Sequence, residues 1–135
     1  MKKGLFFDKI FFFKRFKKTF PKKLGKKHYL QHKNQALELA TSRTHFFNET
    51  YQVVFNKIKI RNQKTRWGSC STKGNLSFNY RILFLSEKAR DYIIVHELCH
   101  LKEFNHSKNF WALVEKVFPD YAEIRKEIKN NKLSI

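Results

Sequence analysis

Cysteine is nearly absent from this chain: Cys70 and Cys99 are the only two in 135 residues, at no paired spacing. That excludes a disulfide-stapled scaffold and points to a reducing, cytoplasmic setting. Long apolar runs are missing as well. The longest near the N-terminus spans residues 10–13 and is hemmed in by Lys9 and Lys14. It is too short for the apolar region of a signal peptide, and nothing approaches a membrane span. Methionine occurs only at position 1, and no internal repeat is present. Acidic residues are scarce: 11 Asp and Glu stand against 29 Lys and Arg, a formal charge of +18.

That surplus favours anionic partners, whether nucleic acid, acidic lipid surfaces or acidic proteins, and says nothing about the fold. It is unevenly placed. Residues 1–34 hold 12 Lys or Arg against the single acid Asp8, and residues 1–20 hold seven of the fifteen phenylalanines. Residues 1–27 therefore read as a basic, Phe-rich segment, and residues 28–135 as one compact domain. The segment leaves open a peripheral place on an anionic surface.

Within the domain a helix is expected over about residues 29–47, with Leu30, Ala36, Leu37 and Ala40 toward the core. At residues 57–61, Ile58 and Ile60 alternate with charged residues, as in a strand with one wet face. Residues 65–70 and 75–85 flank a Ser-Thr-Lys-Gly turn and read as a hairpin. Its second arm directs Leu76, Phe78, Tyr80, Ile82 and Phe84 to one side. Ser86 suits the N-cap of a helix reaching about residue 104, and Ser107 that of a second over residues 108–118. Asp120 and Glu123 resemble a capping box for a third. The expected class is α+β: one helix, a small antiparallel sheet, then three C-terminal helices.

Residues 91–109 read DYIIVHELCHLKEFNHSKN. His96 and His100, four apart on a helix, stand about 40° apart around the axis and roughly 6 Å along it, so both imidazoles reach one metal. Glu97 adjoins the first of them, where its carboxylate can meet a metal-activated water as general base. Ile93, Ile94, Val95, Leu98 and Leu101 make this helix strongly apolar, and two histidines and a glutamate there need a reason.

A catalytic zinc needs three protein ligands and an open fourth position. Glu103 lies about 10 Å along the axis from His96, too far for one tetrahedral ion. Glu115 on the next helix offers a carboxylate solution. His106 is favoured, because Asn105 tolerates the left-handed conformation that ends a helix and Ser107 starts another, placing residue 106 on a sharp corner. A structural site closed by cysteine is the other option. Cys99 lies off the ligand face, and Cys70 remains open. The spacing of the three histidines is also that of the metzincins, but Glu103 stands where those carry glycine, and no downstream methionine is available for their turn.

The pieces Arg66-Trp67-Gly68-Ser69-Cys70, Asn79-Tyr80-Arg81, Asp91-Tyr92, the HELCH segment, Asn105-His106-Ser107, Phe110-Trp111 and Pro119-Asp120-Tyr121 resemble the YgjP-like metallopeptidase family, which is related to the SprT-like and Wss-type proteases. The resemblance covers the chain from about residue 56 to 128. It implies a minimal zincin-like fold with zinc on His96, His100 and His106, catalysis by Glu97, and a peptide or protein substrate. Two departures stand out. The short basic segment and one helix replace a longer, strand-rich N-terminal region, and Ser86 stands where a proline is common. Trp67 and Trp111 read as packing beside the site, and Arg66 and Asn79 as candidates to orient a ligand or bind a peptide backbone. Tyr92 could line the cleft, and Tyr80 and Tyr121 are equal candidates for oxyanion donors. The alternative from another class is a nucleic-acid or membrane-surface binding module with a vestigial zinc site. Glu97 argues against it, since a structural site has no use for that carboxylate.

Overall fold

The computed structural model describes residues 24–130. Of residues 1–27, expected to stand apart as a basic, Phe-rich segment, positions 1–23 lie outside the described residues, and Lys26 and Lys27 open the first helix. The elements are α1 (Lys26–Tyr51), β1 (Lys57–Arg61), β2 (Gly68–Cys70), β3 (Asn75–Asn79), a 3-10 helix (Tyr80–Phe84), α2 (Glu87–His100), α3 (Lys108–Glu115) and α4 (Tyr121–Lys129). The class is α+β, with three helices at the C-terminal end. None of these helices is long and apolar enough to cross a membrane.

Helix α1 begins earlier and ends later than the apolar pattern suggests. Its buried stripe is Ala36, Ala40, Thr44, Phe47 and Tyr51, spaced by three and four. Ala36 and Ala40 face the core as expected. Leu30 (56% exposed) and Leu37 (37%) do not, because they fall outside that stripe. Gln52 ends the helix in the left-handed region at φ 49°.

The sheet is mixed rather than antiparallel. Strand order is β1-β3-β2, with β1 parallel to β3 and β2 antiparallel to it. After β1 the chain passes to the far side of the sheet, runs back as β2, and turns into the middle as β3. Gly74 makes that turn at φ +77°, a conformation that disfavours a side chain. Ile60 of β1 and Leu76 and Phe78 of β3 enter the core.

The second hairpin arm also stops short. The Asn79 carboxamide oxygen accepts the Arg81 backbone N–H, which starts the 3-10 helix in place of further strand. Tyr80 and Ile82 are buried nonetheless, so the alternation there reflects burial without extension.

Helix α2 is the centre of the molecule. Ala89 and every residue from Asp91 to Cys99 are buried, as befits a helix apolar on all sides. The Ser86 hydroxyl accepts the Ala89 N–H as N-cap and donates to Glu127 on α4. Arg43 of α1 grips Asp91 through two hydrogen bonds of 3.0 and 2.8 Å. Asp120 does not cap α4 with its side chain; its carboxylate pairs with Lys88 instead.

Candidate metal centre

Helix α2 presents His96 and Glu97 in its last turns and ends at His100. The chain then runs through a short irregular stretch to Ser107, whose hydroxyl accepts the Phe110 N–H and caps α3. His106 therefore sits on the corner expected of it. Asn105 does not adopt the left-handed conformation: Gln52 is the only non-glycine with positive φ among the described residues. Consecutive bends make the corner in its place.

Three imidazoles converge there. His96 Nε2 lies 3.1 Å from His100 Nε2 and 3.2 Å from His106 Nε2. Among the described residues these three are the only group of three or more His, Cys, Asp or Glu whose ligand atoms cluster so as to hold a metal ion. Glu115 is exposed and outside the cluster, and the half-buried Cys70 and Glu103 are outside it too. His96 is buried, His100 half-buried and His106 exposed, so the cluster opens to solvent on one side.

The outer nitrogens are held from behind. His100 Nδ1 faces the Glu103 carbonyl at 3.0 Å. A carbonyl only accepts, so this nitrogen carries the proton and the neutral ring turns a lone pair at Nε2 toward the cluster. His96 Nδ1 lies 3.3 Å from the Tyr92 hydroxyl. Tyr92 is thus fully buried behind a candidate ligand and does not line the cleft. Phe110 packs on all three imidazoles, and Trp111 stacks on His106 at 5.8 Å between ring centroids and on Tyr121 at 4.6 Å.

Burial shapes the charge states. It pushes the His96 imidazole down to about 3, helped by His100, His106 and Arg125. The imidazoles of His100 and His106 are lowered too, chiefly by burial. All three are neutral donors at pH 7. Burial raises the Glu97 carboxyl to about 8, with Arg66 opposing.

The cluster forms one wall of an open cleft of about 380 Å³, lined also by Arg66, Gly68, Ser69, Cys70, Glu97 and Phe104. Strand β2 is the facing wall and runs very close to α2. A Cβ on Gly68 would stand 2.8 Å from Glu97 Oε1 and 2.9 Å from its Cγ. The residues RWGSC announced a strand, and the glycine inside it is the one signal of this close approach. Asn79 steadies the same wall, its carboxamide nitrogen donating to the carbonyls of Gln63 and Arg66. Tyr80 bonds His28 instead of reaching the cleft, and Trp67 is fully buried packing.

No curated protein matches the chain. The zymogen of the metallopeptidase abylysin from Pyrococcus abyssi is 34% identical over 76% of this chain and 98% of its own, with a TM-score of 0.56. The metallopeptidase zymogen jannalysin from Methanocaldococcus jannaschii is 26% identical over 67% of this chain and 94% of its own, with a TM-score of 0.61. The YgjP-like metallopeptidase domain model matches residues 14–131, nearly the whole length, and the chain belongs to that family.

Proposed function

We propose that this metallopeptidase is zinc-dependent, with His96, His100 and His106 as ligands through Nε2 and Glu97 as general base. The convergence of the three Nε2 atoms carries the reading. Tetrahedral neighbours bound at 2.0–2.1 Å stand about 3.3 Å apart; His96 lies 3.1 and 3.2 Å from its two partners, and all three ligand atoms lie within 4.8 Å of one another. Three neutral imidazoles with an open side fit catalytic zinc better than a closed structural site.

A zinc ion held by His96, His100 and His106 would supply Lewis acidity, bringing the pKa of water to about 7 and polarising the scissile carbonyl. Glu97 accepts the proton of the attacking water and delivers it to the leaving nitrogen. Its carboxylate points into the cleft because Gly68 leaves room for it. A cation alongside offsets the burial that otherwise keeps Glu97 protonated, so the base is charged when it is needed. The cleft is open to solvent rather than closed around a small molecule, which suits a segment of polypeptide.

Metal analysis joined to a peptide-cleavage assay tests this. The chain should hold about one zinc, lost in His96→Ala and His100→Ala and weakened far more by His106→Ala than by Glu115→Ala. Glu97→Gln should keep the zinc and lose about 10²–10⁴-fold in turnover. Undiminished hydrolysis in that variant rules Glu97 out as the base.

A further inference from the structure

Two side chains of the cleft are not used up by that chemistry, although the charge of Arg66 also acts on Glu97. Phe104 is 49% exposed, and of the exposed large apolar side chains among the described residues it alone lines the cleft. Single exposed aromatics are common on protein surfaces and need no explanation. This one is on the wall of a concave site, four residues past a candidate ligand. Arg66 is exposed on the same cleft and makes no ion pair among the described residues. Its backbone is nonetheless pinned, since Asn79 donates to its carbonyl at 3.1 Å. Glu97 is the only acid among the lining residues and is almost wholly buried. An apolar wall with a few convergent polar groups is how binding sites combine affinity with selectivity.

We propose that the cleft selects acidic peptide segments bearing a large apolar side chain. Phe104 seats an aromatic or long aliphatic side chain, and Arg66 is the counter-charge for a nearby Asp or Glu. The molecule's net charge of +18 draws such segments from a distance. This assignment of a substrate class rests on the peptidase reading above.

The test uses four peptides of one length in a Gly-Ser frame, carrying a central Phe or Ala flanked by Glu or Lys. Binding to the zinc-loaded full chain with Glu97→Gln is read by fluorescence anisotropy, and kcat/KM is read on the wild type. Phe should be preferred over Ala by about tenfold. Glu should be preferred over Lys by roughly three- to fivefold, shrinking as salt is added. Phe104→Ala should abolish the first preference and keep the second, whereas Arg66→Glu should invert the second and keep the first. Each comparison is a ratio within one variant, so partial loss of zinc or fold cancels. Indifference of the wild type, or ratios untouched by the two substitutions, overturns the proposal. So does an Arg66→Glu variant slowed equally on all four peptides with its ratios unchanged, since its charge would then act on Glu97 and not on the substrate. Selective binding without hydrolysis would sink the peptidase reading and leave the selectivity standing. Hydrolysis that depends on Glu97 without selectivity would do the reverse.

Discussion

At Gly68 the space of one methyl group sets where Glu97 can go. The residue has no left-handed φ, so glycine is there for room and not for backbone conformation. A Cβ would crowd the Glu97 Oε1, Cγ and Cδ at 2.8–3.1 Å, and the glutamate would have to swing away from the cluster. Gly68→Ala should therefore cost at least about tenfold in kcat and, as overpacking, about 1–3 kcal/mol of stability. Zinc content should stay unchanged, and an undisturbed kcat would show that Glu97 has slack. Tyr92 acts one step further back, on His96 Nδ1. Tyr92→Phe keeps the ring in the core and removes only the hydroxyl, so it should weaken zinc by roughly 10–100-fold with little change in fold. Competition against a chromophoric chelator measures that directly. The juxtaposition of His96, Glu97 and His100 was legible because helical spacing converts sequence distance into geometry, and that of His106 because Ser107 starts a new helix, although Asn105 makes no left-handed turn there. Gly68 and Tyr92 were not, because their roles depend on which strand or ring the fold brings alongside.

Helix α2 carries His96, Glu97 and His100, so what anchors the helix anchors most of the candidate site. Arg43 and Asp91 tie it to α1, and Asp91 is buried. Burial raises the Asp91 carboxyl, and the hydrogen bonds and charge of Arg43 counter only part of that rise. Removing the guanidinium leaves the buried acid with only the looser contact to Arg90 at 3.9 Å. Arg43→Ala should cost about 3–5 kcal/mol in urea unfolding, while replacing both residues by apolar ones of similar volume should recover much of it. A loss below about 1 kcal/mol would mean that water reaches Asp91. The caps at Ser86 and Ser107 were legible in the sequence, since a hydroxyl before an apolar run satisfies orphan N–H groups locally. The mixed sheet was not. Alternation at Ile58 and Ile60 fixes which face is wet, but the direction of a neighbour depends on a chain reversal several residues away. Residues 80–84 misled for a related reason: Tyr80 and Ile82 are buried at a spacing of two in a 3-10 helix just as they would be in a strand.

Taken as a whole, the metal-free molecule holds buried groups that pull its stability in opposite directions with pH. His96 titrates at about 3 when folded and 6.5 when unfolded. Between those values the unfolded chain binds the extra proton, so stability is lost as pH falls below 6.5, with His100 and His106 adding in the same sense. Glu97 titrates at about 8 when folded and 4.5 when unfolded. There the folded chain keeps the extra proton, so stability is lost as pH rises from 4.5 through 8. The Cys70 and Cys99 thiols, raised by burial to about 11 and 12, extend that decline above pH 9. The two effects oppose each other in the overlap from 4.5 to 6.5, which becomes a flat top with a fall on either side. The chelated chain should therefore melt at a lower temperature at pH 8 than at pH 6. Zinc should change the shape of the curve and not merely its height. A divalent cation lets Glu97 ionise inside the fold, so the alkaline fall should disappear. Protons compete for the imidazoles, so the acid fall should steepen. Melting curves from pH 4 to 9, with zinc and with chelator, decide the matter. If both curves fall alike between pH 6 and 8, zinc does not relieve the burial of Glu97, and that carboxylate is not beside the metal.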